Sequence, residues 1–242
     1  MNRIILITGG TSGIGKYLVE KYSKNNKVIV ISRNNEKIKS VKNEFNKSNI
    51  DFYQCDLTSD NDLQKTFEFI EKRYKHIDVL INNAAYDVMS DIENYKYDDF
   101  TKVINTNLLG KTFCIKYATK LLKKSTYPSI INIASRLGTR PMKLSSAYCC
   151  GAAAIIMLTK CAALELEKYN IRVNCISPSL VLTPLSKKSY TQEEIEQTKE
   201  KSTRKRLCKM KDIYELINFL ISKKSDYING ENIDISGGIL LK

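Results

Sequence analysis

Short apolar runs rich in isoleucine and valine recur along the chain, and between them apolar residues fall at helical spacing. The runs at 4–7, 28–32, 50–55, 77–81, 129–134, 173–176 and 233–235 read as buried strands. The stretches at 36–47, 63–75, 97–124, 147–169 and 213–221 read as helices. Within 63–75, Leu63, Phe67 and Ile70 share one face. A charged loop with a short helix over 192–199 precedes the last helix. Strand and helix alternate from end to end. That pattern predicts an α/β fold, a doubly wound parallel sheet of about seven strands with helices on both faces. No linker, repeat or low-complexity segment divides residues 1–242, so a single domain is expected. In such a sheet, ligands bind beyond the carboxyl ends of the strands, where strand order reverses.

Small and polar residues gather at those ends: Ser32-Arg33, Cys55-Asp56, Asn82-Asn83-Ala84-Ala85, Ala134-Ser135 and Ser177-Pro178-Ser179. The first strand runs into a glycine turn, TGGTSGIG, which passes directly into a helix. Glycine permits positive φ and close approach of a ligand to the backbone. The helix start presents unpaired N–H groups and the positive end of its dipole. A strand, a turn of Gly9, Thr11, Ser12, Gly13, Ile14 and Gly15, and an amphipathic helix together form a seat for a pyrophosphate. The spacing, Thr-Gly-x-x-x-Gly-x-Gly, is one residue wider than G-x-G-x-x-G.

Composition narrows the partners. Lys and Arg number 39 against 26 Asp and Glu, a formal net charge of +13. Most of the excess is scattered singly on helices, as solvated faces would be. The one dense patch, 202–211, comes with no nucleic-acid recognition motif, so no nucleic-acid partner is expected. Seven cysteines without a Cys-x-x-Cys pair, and a single histidine, argue against a metal site. They read as small core side chains in a reducing compartment, and a cytoplasmic protein is expected. No hydrophobic run is expected to span a bilayer, and the N-terminus lacks a signal-peptide pattern.

Six motifs in order resemble the single-domain branch of the short-chain dehydrogenase/reductase family, over essentially the whole chain. They are TGGTSGIG, NNAA at 82–85, NTNLLG with Asn107, INIASRLG with Ser135, IRVNCISPS at 171–179 and INGENIDISGG at 228–238; Tyr148 stands in register with Ser135. The resemblance implies a Rossmann-like, NAD(P)-dependent oxidoreductase that moves a hydride to or from a carbonyl or alcohol carbon. It further implies Tyr148 as acid and base, Ser135 as donor to the substrate oxygen and Asn107 as holder of a relay water. Asp56 and Leu57 would face the adenine, Asn83 and Ala84 the ribose side, and Thr183 the carboxamide, with Pro178 and Val181 lining the cofactor. By residue type alone, Ser135 could simply end a strand, and Asn107 could kink or cap a helix. Asp56 could cap the next helix, as could Thr58 or Ser59.

One departure matters. The family's Tyr-x-x-x-Lys reads Tyr148-Cys149-Cys150-Gly151-Ala152 here, with alanine in the lysine position. A free tyrosine has a pKa of about 10, and a nearby cation lowers a pKa by about 1–3 units. Without the cation Tyr148 is a poor base near neutral pH, though still able to donate a proton. Lys111, Arg136, Arg140 and Lys143 are the cations close enough in sequence to substitute, and each is expected to be a solvated charge. Cys149 and Cys150 are expected to pack, since no histidine lies near them to activate a thiolate. Ala85 and Ser179 each replace a family glycine beside the site.

At the end of the second strand, an NAD site of this kind needs an acid for the ribose hydroxyls. Ser32 and Arg33 stand there instead, and a guanidinium suits a 2′-phosphate. NADP is therefore expected over NAD. The partner is expected to be a small carbonyl or alcohol, under a cover formed by 185–206. The resemblance implies a homotetramer or homodimer through the two long helices and the C-terminal strand, and Ile239-Leu240-Leu241 fits burial there. The alternative is a dinucleotide-binding protein that turns over weakly or not at all and acts through a partner.

Overall fold

The computed structural model describes residues 3–45 and 49–241. Among them, seven strands form one parallel sheet: β1 (Ile4–Thr8), β2 (Lys27–Ser32), β3 (Ile50–Gln54), β4 (Val79–Asn82), β5 (Ser129–Ile133), β6 (Arg172–Pro178) and β7 (Asn232–Ile235). Their order is β3-β2-β1-β4-β5-β6-β7. Order reverses between β1 and β4, where Ile5 pairs with Val79 and Ile7 with Ile81. The crevice at that reversal is where the sequence gathers its glycines and asparagines.

Period-two alternation splits the core. Leu6, Ile29, Ile31, Leu80 and Ile130 face one layer. Ile5, Ile7, Val28, Val30 and Ile81 face the other. The first layer holds α3 (Asp60–Arg73), α5 (Gly110–Leu122) and α6 (Ser146–Leu166); the second holds α1 (Gly13–Tyr22) and α9 (Met210–Leu220). Leu63, Phe67 and Ile70 are buried together as their spacing predicts. The remaining helices are α2 (Asn35–Phe45), α4 (Tyr97–Ile104), α7 (Ser186–Ser189) and α8 (Gln192–Lys201). The expected end of α2 at 46–47 lies outside the described residues.

Four expectations need correction. The predicted 97–124 helix is interrupted by a π-turn, Asn105–Leu109, between α4 and α5. Such turns insert one extra residue into a helix and cluster at functional sites; this one carries Asn107. The predicted strand at 77–81 starts only at Val79, although Ile77 is fully buried. The segment Ser146–Tyr169 is long and apolar enough to cross a membrane by length and composition, contrary to the sequence reading. Its small residues Ala147, Gly151, Ala152, Ala162 and Ala163 are buried, with α6 lying against β6 and the π-turn. Cys55, Cys114 and Cys175 are core residues as expected, but Cys150 and Cys161 are exposed. At the C-terminus Ile239 is buried while Leu241 is 86% exposed.

Candidate active site

The glycine turn is locked from two sides. Gly9 has φ +68°, and a Cβ there would stand 2.9 Å from the Ala84 Cα. A Cβ on Gly15 would run into the Gly9 carbonyl and lie 2.5 Å from Asn83 Nδ2. Asn83 Nδ2 donates to the carbonyls of Thr8 at 2.9 Å and Gly9 at 3.2 Å. Thr8 Oγ1 accepts from the N–H groups of Asn83 at 3.0 Å and Ala84 at 3.1 Å. Ser12 opens α1 in an extended conformation with no side-chain cap. The first-turn amides are thus left for an anion, so the turn fits a dinucleotide's phosphates.

From this turn a cleft of about 340 Å³ extends to both sides. On the β2 side, Thr11 and Ser32 share a buried hydrogen bond of 2.9 Å. The Arg33 guanidinium stands exposed on the cleft rim, 3.8 Å from the Asp56 carboxylate. Lys37, one turn into α2, lines the same rim. A helix-face lysine carries no signature in the sequence, and only the fold brings it to the cleft. Asp56 and Leu57 line an adjoining recess of about 120 Å³. The Asp56 carboxylate accepts from Thr58 N at 3.0 Å and Thr58 Oγ1 at 2.8 Å. Ser59, not Asp56, caps α3, accepting from Asp62 N at 3.2 Å.

On the β5 side, Asn107, Ser135 and Tyr148 meet in one wall of the cleft. The Tyr148 phenol stands beside Ser135, whose Oγ accepts from Leu137 N at 3.2 Å. Burial lifts the Tyr148 phenol well above its usual value of 10; Asp87 and Tyr190 push the same way, and Ser135 opposes them. Asn107 Oδ1 accepts from Tyr86 N at 2.8 Å, and Asn107 Nδ2 donates to Tyr86 O at 2.9 Å. The pair ties the π-turn to the strand-end loop. Gly9, Thr11, Ser12, Gly13, Ile14, Ala84, Pro178, Val181 and Thr183 also line the cleft. Gly15 does not: its place is beneath the turn.

The cations separate. Lys143 is exposed, as expected. Arg140 is also exposed but reaches Ile239 O at 3.2 Å. Arg136 is half-buried in the cleft wall. Lys111, expected in solvent, is only 3% exposed. Its Nζ donates to Ile133 O at 2.5 Å, and burial drops its pKa from 10.5 to about 8. Asp87 is the other group the sequence did not mark. It lines the cleft with one buried oxygen unpaired, and burial raises its pKa. Among the described residues no cluster of His, Cys, Asp and Glu suits a metal.

A dinucleotide cradle at the sheet's reversal, facing a serine–tyrosine pair across one cleft, defines a nicotinamide-dependent oxidoreductase class. The short chain dehydrogenase family model matches residues 3–194, and the chain belongs to that family. It is similar to NAD-dependent glycerol dehydrogenase of Listeria innocua, 30% identical over 241 residues, covering 100% of this chain and 95% of that one. It is also similar to the 3-oxoacyl-(acyl-carrier-protein) reductase FabG of Buchnera aphidicola, 30% identical over 99% of this chain and 98% of that one. Among solved structures, ElxO with NADP bound superposes with a TM-score of 0.90 at 32% identity, over 100% of both chains.

Proposed function

We propose that the chain is an NADP(H)-dependent reductase of small carbonyl compounds. The observation that carries this reading is the single cleft joining the bare amides of the glycine turn to Ser135 and Tyr148, with Arg33 on its rim. Arg33 and Lys37 would hold a 2′-phosphate, and residues 12–14 the pyrophosphate. The NADP named with ElxO supports that choice, and the NAD named with the glycerol dehydrogenase relative leaves NADH to be compared directly. When bound, the nicotinamide supplies the hydride. Ser135 and Tyr148 hold the carbonyl oxygen by donated hydrogen bonds, and Tyr148 gives it a proton. A phenol held above its ordinary pKa stays protonated, which suits reduction over alcohol oxidation. Asn107 fixes the Tyr86 loop against this end of the cleft and keeps a second amide N–H and oxygen lone pair for a relay water. Tyr190 and Asp87 bound the substrate side.

The test is NADPH oxidation across a panel of aldehydes and ketones, by the wild type and by Tyr148→Phe. Turnover that collapses in the variant supports the reading. NADPH binding without turnover on any carbonyl supports the second reading, a binding protein with a disabled site, which Ala152 favours. Tight NADH binding without NADPH preference removes the Arg33 argument.

A further inference from the structure

Lys111 is a buried ammonium with too few partners. An ammonium has three donors. One is given to Ile133 O, and among the described residues no carboxylate pairs with Nζ. Burying an unpaired charge is costly, and proteins retain one where something else meets it. Lys111 is also held in place. Asn82 Nδ2 donates to its backbone carbonyl at 3.3 Å and to Asn132 Oδ1 at 3.0 Å; Asn132 Nδ2 donates to Thr159 Oγ1 at 2.9 Å. That chain links α5, β4, β5 and α6.

The position of the ammonium is informative. Ile133 is two residues before Ser135, and Lys111 lines the same cleft as Ser135, Tyr148, Ala152 and Ile155. Arg33 follows β2, three strand intervals from β5, or about 14 Å at the usual spacing. The two cations therefore serve opposite ends of the cleft. On α6, Gly151 sits against Asn107, where an added Cβ would be 3.3 Å from the Asn107 Cβ. The next residue, Ala152, lines the same cleft as Lys111, and its methyl is the smallest side chain that position can carry.

We propose that Lys111 is the cation of the nicotinamide end: seated on Ile133 O in the cleft that Ala152 also lines, its Nζ donates its remaining N–H groups to the hydroxyls of the nicotinamide-side ribose. This rests on the dinucleotide reading above. It makes Lys111 a cofactor-binding residue brought in from α5, and it makes the alanine at 152 a compensated change.

The test uses fluorescence titration with NADPH and, as a probe lacking the nicotinamide half, 2′,5′-ADP. Lys111→Met is expected to weaken NADPH about tenfold to a hundredfold, the range for hydrogen bonds from a charged group, and to leave 2′,5′-ADP within about twofold. Ala152→Lys is expected to bring no gain in the wild-type background and to recover most of the loss in Lys111→Met. The wild type gives a reading free of any folding defect. Its NADPH affinity, taken relative to 2′,5′-ADP, should fall as the pH rises above about 8. The titratable groups facing Lys111 are Cys114 on its own helix and Cys175 on β6; Tyr148 on α6 shares the cleft. All three are raised by burial and stay protonated across that window. Unchanged NADPH affinity in Lys111→Met, equal losses for both probes, or a flat wild-type profile from pH 6.5 to 9.5 overturns the proposal while leaving the dinucleotide reading intact. A wild type that binds 2′,5′-ADP and not NADPH overturns it too. Failure of the wild type to bind either probe overturns both.

Discussion

Tyr148 and Lys111 have the same physics with opposite signs: burial suppresses the charged form of each. For Tyr148 the neutral phenol is the proton donor. Reduction should therefore hold steady from pH 6 to 9, and alcohol oxidation should be weak at pH 7 and climb with pH. Initial rates in both directions check this. Tyr148→Phe should cut reduction by about 10²–10⁴-fold with NADPH affinity little changed. For Lys111 the folded pKa of about 8 lies below the ~10.4 of an unfolded lysine. Between these values the unfolded chain holds the extra proton, so this residue's destabilising effect is complete below pH 8 and is relieved as the pH rises towards 10.4. The buried thiols of Cys55, Cys114 and Cys175 titrate in the opposite sense. Comparison with Lys111→Met isolates the lysine. Wild-type stability should gain on the variant by on the order of 3 kcal/mol between pH 8 and 10.4, read from urea unfolding. A constant gap would mean that Lys111 is not buried as a charge.

At the scale of elements, the glycine turn and the π-turn bring the two halves of the cleft together. Gly15→Ala should push α1 away from the Gly9 carbonyl, costing about 1–3 kcal/mol of stability and most of the NADPH affinity. Thermal melts and titration of one sample separate the two effects. The strands were legible because isoleucine–valine runs bounded by turn residues have few other homes, and β1, β2 and β5 fall within a residue of their expected limits. The π-turn was not legible. Residues 105–109 satisfy a helical pattern equally well, and what distinguishes the turn is the Gly110 N–H reaching back five residues to Asn105 O. Lys111 was illegible for a related reason: one turn beyond Asn107 it resembles any surface lysine, and its acceptor, Ile133 O, comes from a strand 22 residues away. Asp87 and Lys37 likewise acquire meaning only when the cleft assembles. Tyr148, Ser135 and Asn107 were readable because their spacing and flanking residues recur together in one family.

The whole molecule leaves apolar surface uncovered. Met157 is 58% and Leu164 72% exposed on the outer face of α6. Seven residues apart, the two share one helix face, and a second copy laid on that face would cover both. This face is where a homodimer or homotetramer through the long helices would close. Met157→Glu with Leu164→Glu should yield a monomer by sedimentation velocity, whereas the wild type should sediment as a multiple of 27.6 kDa. A monomeric wild type would contradict self-association through the apolar face of α6. The dense cationic patch has less to offer: Arg206 is bound by Asp212 at 2.6 and 3.1 Å, and Lys205 by Glu200 at 3.1 Å.

The most direct measurement is a crystal structure of the wild type grown with NADPH. Pyrophosphate oxygens should lie on the amides of residues 12–14, the 2′-phosphate at Arg33 and the nicotinamide beside Ser135 and Tyr148. An empty cleft at saturating NADPH, or a nucleotide bound elsewhere on the chain, would contradict this placement.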